Sequence, residues 1–257
     1  MRKKLLTVFL LTVGTCIFLT GCGKGQRELK KGKEALYGTE KTEVNYETAY
    51  HEFTAALEKE NAEANLYLGL MADWYSYPEN DYGKAMQYYK ENKENPYAKI
   101  CMGYMYLNGQ GVTPDREIAN ALFQEAIDEN CQEAYIGKAA VAEMEGDYAT
   151  AMEAYNKVLK GTEQVFCASA MQSIAGLYYD GNGVDQDFTK AMEWYAKAAE
   201  LGDTTAMNNI GYMYQMGEGV ECDYDKALEY YDQAIKCGSE PAKSNADFLR
   251  NKMKLAQ

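Results

Sequence analysis

Small and aromatic residues recur along this chain of 257 residues with a period of about 36. One series of alanines is spaced 34, 36, 36 and 36 residues apart, and each is followed five residues later by glycine or alanine. A second series is followed four residues later, in all six cases, by phenylalanine or tyrosine. Because residues i and i+4 share one face of a helix, the pattern predicts rings that pack over small residues of a neighbouring helix. The first series is Ala64, Ala98, Ala134, Ala170 and Ala206, and the second is Ala49, Ala85, Ala119, Ala151, Ala191 and Ala227.

Three glycine-rich segments predict turns between the two helices of a repeat. The pattern Gly-x-Gly-Val occurs at residues 109–112, 181–184 and 217–220. Paired glycines permit the positive φ at which a helix ends. An aspartate follows the second glycine by four residues, where it can cap the next helix; these residues are Asp115, Asp187 and Asp223. Asn45 is predicted to cap a helix in the same way.

The chain is therefore predicted to be an all-α solenoid of about six helix-turn-helix hairpins and a C-terminal capping helix. In the first unit we expect helices at residues 27–37 and 46–60. The unit that begins at Ala134 is irregular, because 12 residues separate Ala139 from Ala151 where other units have 16. This difference predicts a local irregularity of the superhelix between residues 134 and 170. The predicted units span about residues 26–63, 64–97, 98–133, 134–169, 170–205 and 206–241, with the cap at 242–257.

The combination of small residue, glycine turn, aspartate and Lys-Ala before an aromatic pair resembles the Sel-like repeat (SLR) family, a relative of tetratricopeptide repeats. The segments Asp187–Ala199 and Asp223–Tyr231 carry this pattern, and the resemblance extends from about residue 26 to the end. The turn at Tyr75-Ser76-Tyr77-Pro78 departs from it, because both glycines are absent. The resemblance implies a right-handed superhelix in which the first helices line an inner, concave wall.

The amino terminus is predicted to be a signal peptide, residues 1–21. Three basic residues precede an apolar stretch of about 15 residues, shorter than the roughly 20 that span a bilayer. The segment Leu19-Thr20-Gly21-Cys22 resembles the bacterial lipobox, which implies cleavage before Cys22 and its lipidation, including palmitate-type acyl chains. Residues 22–25 would then be a lipidated tether, and the protein an extracytoplasmic lipoprotein of a bacterial membrane or envelope. The alternative is a secretory peptide in which the cysteine has no such role.

Composition disfavours several classes of partner and chemistry. The formal charge is −13, and removal of residues 1–21 lowers it by three more, to −16. This balance argues against nucleic acid, whose phosphates are bound by Lys and Arg, and favours neutral or basic protein or peptide partners. The single histidine, His51, disfavours metal cages and histidine relays that need several imidazoles. We therefore predict no cofactor, no metal and no catalytic residue.

Five cysteines would remain beside the lipidated one. Cys101 and Cys131 lie near adjacent ends of antiparallel helices, so a disulfide between them is geometrically feasible. The SLR family also has a cysteine-rich branch with regularly spaced bridges, and some members of it resemble penicillin-binding or β-lactam-degrading proteins. This chain lacks that spacing. The remaining cysteines are Cys167, Cys222 and Cys237.

A set of polar and aromatic residues on the predicted first helices differs from one repeat to the next. Aromatic side chains with polar tips give a large contact area at a small entropic cost, which is typical of binding surfaces. We expect these side chains to form the contact surface of the concave wall. The predicted contact residues are Tyr67, Asp73, Trp74, Tyr104, Tyr179, Asn209, Tyr212 and Gln215.

The sequence leads to one functional hypothesis and two alternatives. The first is a non-enzymatic, membrane-anchored repeat scaffold that binds a protein or peptide on the extracytoplasmic side. The second, implied by the family, is a hydrolase or β-lactam-interacting protein of cell-wall metabolism. The third is a regulator of signalling or secretion across the envelope. Architecture alone does not decide among them.

Overall fold

The structure is a computed structural model that describes residues 24–39, 42–75, 77–161 and 164–255. The predicted signal peptide and Cys22 lie outside these residues. Within the described ranges there are thirteen helices and no strand, apart from one isolated bridge between Thr39 and Thr42. The all-α prediction is confirmed. The helices are α1 (Gln26–Tyr37), α2 (Tyr46–Glu58), α3 (Ala64–Asp73), α4 (Tyr82–Glu91), α5 (Pro96–Asn108), α6 (Arg116–Asp128), α7 (Ala134–Glu145), α8 (Tyr148–Gly161), α9 (Gln164–Asp180), α10 (Phe188–Glu200), α11 (Thr204–Met216), α12 (Tyr224–Lys236) and α13 (Glu240–Leu255).

The helices are arranged as successive hairpins in two compact units, Met1–Val141 and Ala142–Gln257. The first unit contains the hairpins α1/α2, α3/α4 and α5/α6, each packed against the next. The second contains α8 packed on α9, the hairpins α9/α10 and α11/α12, and the closing helix α13 on α12. Both units are thus arrays of helix-turn-helix hairpins, as the periodicity predicts.

Aromatic rings of the second helices lie against glycines of the first helices. A Cβ atom on Gly69 would lie 2.5 Å from Cε1 of Tyr89, and one on Gly211 would lie 2.7 Å from the Tyr231 ring. Both rings are fully buried. Burial of such a ring contributes roughly 1.5–3 kcal/mol, and close packing leaves no space for a larger residue opposite it. The predicted pairing of rings with small residues is confirmed.

The three Gly-x-Gly turns each close a hairpin and also contact the preceding second helix. Gly109 and Gly111 both have φ of 68°, as the predicted turn requires. A Cβ on Gly111 would lie 2.6 Å from Cβ of Tyr82, the first residue of α4. Gly183 contacts Tyr148, and Gly219 contacts Phe188, in the same way. The second glycine of each turn is therefore the point where the turn packs on the preceding hairpin.

The predicted helix caps are present. The side chains of Asp115, Asp187 and Asp223 accept hydrogen bonds of 2.9, 2.9 and 3.0 Å from backbone amides of the following helix. Asn45 caps α2 by accepting from the amide of Thr48 at 2.9 Å. Each bond satisfies one of the amides that a helix start leaves without an intrahelical acceptor.

The turn between α7 and α8 is shorter than the glycine turns. Only Gly146 and Asp147 separate the two helices, and the following helix α9 has 17 residues where α5 and α11 have 13. The residues missing from the turn thus reappear later, as the sequence spacing indicates. Its consequence for the rotation between repeats stays a prediction.

The five cysteines that the structure describes are all free thiols. Cys101 is buried, and the buried Cys131 donates to the Glu133 carboxylate at 3.1 Å. Burial raises the pKa of both thiols, with neighbouring carboxylates adding to the effect. The feasible Cys101–Cys131 disulfide is not formed.

Candidate functional site: the first-helix surface

The predicted contact residues occupy equivalent positions in successive first helices. They lie two residues before, one after, four after or five after the small residue that faces the ring. Positions three residues apart share one helix face, so these residues follow a single stripe. Relative to that small residue, Tyr67 and Asn209 lie at −2, Tyr104 and Tyr212 at +1, Asp73, Tyr179 and Gln215 at +4, and Trp74 at +5.

In the second unit, the structure brings four of these residues together. The Tyr179 hydroxyl donates to the Glu218 carboxylate at 2.6 Å, and burial together with this carboxylate raises the pKa of Tyr179. Gln215 accepts from the Tyr231 hydroxyl at 3.0 Å. Tyr212 lies close enough to both tyrosines to raise their pKa values, and its side chain is 39% exposed. These residues, with Met216 one turn further along α11, form what we call the α9–α11 surface.

Asn209 extends the α9–α11 surface towards α10. Burial raises the pKa of Tyr195 to about 12, and a hydrogen bond with the Asn209 side chain opposes this effect. Met216 is 51% exposed beside this polar group. The surface therefore combines phenol, amide and carboxylate groups with an exposed apolar side chain, which is the composition of a protein-binding patch.

In the first unit, two of the predicted contact residues are in the core, and the prediction is wrong for them. Tyr67 is fully buried, because the Phe53 ring stacks on it at 4.9 Å and the Lys33 amine lies over it at 4.9 Å. Asp73 is also buried, and it accepts from Gln110 at 3.1 Å. Both are covered by neighbouring hairpins and are not accessible to a partner.

The other two first-unit residues are only partly accessible. Trp74 is half-buried. Tyr104 is half-buried with its ring edge-on to Phe123 at 5.1 Å. Burial raises the pKa of Tyr104, and the nearby Cys101 thiol adds to the effect. The predicted residues of the first unit therefore do not form an open surface.

Sequence reasoning did not identify Gln110 and Glu218, which occupy the variable position between the two glycines of a turn. Gln110 reaches back to Asp73, and Glu218 accepts from Tyr179. Asp73 and Tyr179 hold the same position in their repeats, four residues after the small residue. The signal that could have identified them is that the residue between the two glycines differs from one turn to the next. The turn of one repeat thus supplies the hydrogen-bond partner of a polar residue on the first helix of the preceding repeat.

The repeats of this chain match the model of a known protein family. The Sel1 repeat model matches residues 62–91, 97–131, 168–203 and 204–239, which together are more than half of the chain.

The chain belongs to the Sel1 repeat family.

Solved structures show the same fold. A protective antigen of uropathogenic Escherichia coli, c5321, which displays an SLR fold, is 24% identical with a TM-score of 0.59. The match covers 95% of this chain and 51% of that one, so this chain spans about half the length of the antigen. A Sel1 repeat protein from Oxalobacter formigenes is 24% identical over 96% of this chain and 75% of its own, with a TM-score of 0.63. Immunity protein Pa5087 from Pseudomonas aeruginosa is 15% identical over 87% and 89%, with a TM-score of 0.60. No curated protein matches the chain.

The Sel1 matches leave out two parts of the chain. The unmatched residues 132–167 hold the short turn between α7 and α8. The unmatched residues before 62 hold α1 and α2. The Sel1 repeats are thus regular in α3–α6 and α9–α12, and this Sel1 protein is a repeat scaffold.

The described residues of the Sel1 scaffold include few groups suited to metal binding or acid–base chemistry. They contain no group of three or more His, Cys, Asp or Glu residues placed to hold a metal ion. His51 is exposed, with its ring 6.2 Å from that of Tyr50. Burial raises the pKa of Glu143, and a hydrogen bond with Tyr155 opposes this effect.

The predicted tether is described only at Lys24 and Gly25. The backbone oxygen of Lys24 accepts from the Asn61 side chain at 3.2 Å, and its amine pairs with Glu60. Gly25 packs against the carboxyl end of α2, where a Cβ would lie 2.7 Å from the Ala56 oxygen. From Lys24 onward the chain is therefore held against the α2–α3 corner, the segment where α2 ends and α3 begins. Of the described helices, none is long and apolar enough to cross a membrane.

Proposed function

We propose that this Sel1 protein is a non-enzymatic, membrane-anchored scaffold that binds a protein or peptide partner on the extracytoplasmic side. The observation that carries the proposal is the α9–α11 surface. There, Tyr179, Asn209, Tyr212 and Gln215 lie together beside the exposed Met216. Tyrosines give strong protein contacts because their large rings lose little conformational freedom on binding.

The anchor in this proposal is the lipidated Cys22. Acyl chains contribute about 0.8 kcal/mol for each buried methylene, so two or three chains hold a protein on a membrane. Cys22 precedes Lys24 by two residues, and Lys24 is fixed to the α2–α3 corner. The first hairpin would therefore lie beside the bilayer, since so short a segment cannot hold it at a distance.

Two measurements test this function. Mass spectrometry of the chain extracted from membranes is expected to show an acylated amino-terminal Cys22, and an unmodified Cys22 would contradict the anchor. Affinity capture with crosslinking from detergent extracts is expected to recover a reproducible partner crosslinked to the α9–α11 surface. Tyr212→Ala is expected to reduce that capture at least tenfold, because the most exposed ring of the surface is lost.

The matched control is Leu201→Ala, which removes an exposed apolar side chain at the end of α10. Helical content, measured by circular dichroism, is expected to stay unchanged in both variants. Equal capture by Tyr212→Ala and the parent would contradict the role of the surface. Turnover of a reporter β-lactam that depends on a single side chain would contradict the non-enzymatic assignment.

A further inference from the structure

The first unit carries an aromatic group away from the stripe of predicted contact residues. The Tyr46 ring lies 5.1 Å from that of Tyr75 and 6.4 Å from that of Tyr77, and Tyr50 lies 5.9 Å from Tyr77. We call these four residues the tyrosine cluster. It joins the start of α2 to the turn between α3 and α4. None of the four belongs to the α9–α11 surface or to the predicted first-helix stripe.

The hairpin fold itself does not need this cluster. Where the next turn is Gly-x-Gly, its second glycine covers the first residue of the second helix; these residues are Tyr82, Tyr148 and Phe188. Tyr46 is the equivalent residue of α2, but the turn that faces it lacks glycines and supplies Tyr75 and Tyr77. A glycine turn would close the hairpin with less exposed aromatic surface. The tyrosines are thus an addition to the repeat.

The tyrosine cluster is open to solvent on one side. Tyr46 is 39% exposed, and Val44, two residues before it, is 48% exposed. Tyr50, Tyr75 and Tyr77 are partly buried beneath them. Exposed rings and aliphatic side chains that lie together mark a contact surface more often than isolated ones do. The accessible hydrophobic residues of this region are therefore the aromatic Tyr46 and the aliphatic Val44.

Acidic residues flank the tyrosine cluster along the chain. Glu43 and Glu47 flank Val44 and Tyr46 in the chain, are exposed, and form no ion pair with a residue that the structure describes. On the other side Glu79 follows Tyr77 by two residues. Its nearest described cation is Lys84 at 3.7 Å, which also pairs with Asp81. The chain segments that supply the tyrosines therefore also carry exposed acidic residues.

We propose that the tyrosine cluster binds an arginine-bearing segment of a protein partner. A planar guanidinium stacks on a tyrosine ring and can at the same time donate two hydrogen bonds to a carboxylate, so both features of this surface suit it. A lysine ammonium satisfies the charge but not the stacking geometry. The site is separate from the α9–α11 surface, and neither partner capture there nor acylation of Cys22 is needed for it.

The test uses the full chain in detergent and three fluorescent peptides that differ only at three positions. The peptide is acetyl-Gly-X-Gly-X-Gly-X-Gly, where X is arginine, lysine or citrulline, the neutral isostere of arginine. Binding is measured by fluorescence anisotropy at about 0.05 M and 0.3 M salt. We expect the arginine peptide to bind at least tenfold tighter than the citrulline peptide and several-fold tighter than the lysine peptide, with weaker binding at higher salt.

Variants locate the binding. Tyr46→Ala is expected to weaken binding of the arginine peptide at least fivefold. Tyr46→Phe, which keeps the ring, is expected to retain most of the affinity. Glu47→Gln is expected to reduce both the affinity and its dependence on salt. Phe248→Ala is the matched control, an exposed ring in the other unit that belongs to neither proposed surface, and should bind the arginine peptide like the parent. Circular dichroism checks that each variant is folded.

Four results would overturn the proposal. They are equal affinity for the arginine and citrulline peptides, unchanged affinity in Tyr46→Ala, an equal loss in Phe248→Ala, and displacement of the arginine peptide by chitotetraose. The third would mean that a cationic peptide binds this acidic chain without a specific site. The fourth would mean that the rings bind a neutral sugar face instead. Failure of capture at the α9–α11 surface would leave all of these measurements interpretable.

Discussion

The packing of Phe123 between two first helices leads to a sharp prediction about Gly103. A Cβ placed on Gly103 would lie 2.6 Å from Cε1 and 2.9 Å from Cζ of the Phe123 ring. On its other side the ring faces Gly137, where a Cβ would lie 2.5 Å from Cδ1. Carbon atoms in good contact are about 3.5–4.0 Å apart, so the ring would have to move by about 1 Å. It is fully buried, and the opposite helix blocks that movement.

The magnitude for Gly103→Ala follows from two opposing effects. Overpacking of a tight core costs about 1–3 kcal/mol, and the blocked ring places this site at or above the upper end. Replacing glycine by alanine inside a helix gains about 1 kcal/mol. We therefore expect a net loss of about 2 kcal/mol in the free energy of unfolding. Gly176→Ala is the control, because its Cβ would lie 3.9 Å from the nearest atom, the Tyr195 hydroxyl. It should stabilise by up to about 1 kcal/mol.

Urea unfolding followed by circular dichroism measures both changes. With a slope of about 2 kcal/mol per molar urea, Gly103→Ala should lower the midpoint by about 1 M, while Gly176→Ala should leave it equal or higher. The double variant Gly103→Ala and Gly137→Ala should lose more than the sum of the two single losses, because each alanine removes the space into which the ring retreats. An unchanged or raised midpoint in Gly103→Ala would refute the packing argument.

Two further predictions concern the helix caps and the thiols. The pKa values of Asp81, Asp147 and Asp187 are lowered from 3.8, by hydrogen bonds from the Lys84 amide, the Thr150 side chain and the Lys190 amide respectively. Because the folded values lie below the unfolded one, the stability from these caps is complete above pH 3.8 and is lost as the pH falls through the lower folded values. The urea midpoint should therefore drop as the pH falls below about 3.8, and less so when all three are replaced by asparagine, which caps without a charge; equal drops would contradict this origin. Iodoacetamide should modify the exposed Cys222 and Cys237 in the native protein but Cys101 and Cys131 only in urea, as mass spectrometry can show, because the latter two are buried and their pKa values are raised. Native labelling of Cys101 as fast as that of Cys222 would contradict the burial.

The hairpins were predictable because their determinants are local. Two local patterns define the packed faces of a hairpin within about 36 residues of chain. In one, a ring follows an alanine by four residues; in the other, a small residue follows an alanine by five. The caps follow from the same local pattern, since Asp187 lies three residues before the amide that it accepts from. For this reason the ends of α1 and α2 lie within two residues of their predicted positions.

Exposure of the contact residues was not predictable in the same way. Variation among repeats selected Tyr67 and Tyr212 alike, although one is fully buried and the other is 39% exposed. What covers Tyr67 is Phe53 and Lys33, which come from the preceding hairpin, and no property of Tyr67 itself indicates their presence. The tyrosine cluster was missed for the opposite reason. The sequence showed that the turn at Tyr75 lacked glycines, but the partner of that turn, Tyr46, lies far away in the chain.

The position four residues after the small residue shows how one repeat can carry different surfaces. In the first unit this position holds Asp73, which accepts a hydrogen bond from Gln110, and both residues are buried. Loss of either side chain would leave a buried polar group without a partner, at a cost of about 1–3 kcal/mol, so this position is constrained by stability. In the second unit it holds Tyr179, whose partner Glu218 is only partly buried and can exchange the tyrosine for water at little cost. Partner binding can therefore change at the second position without loss of the fold, which is why we place the protein-binding surface there.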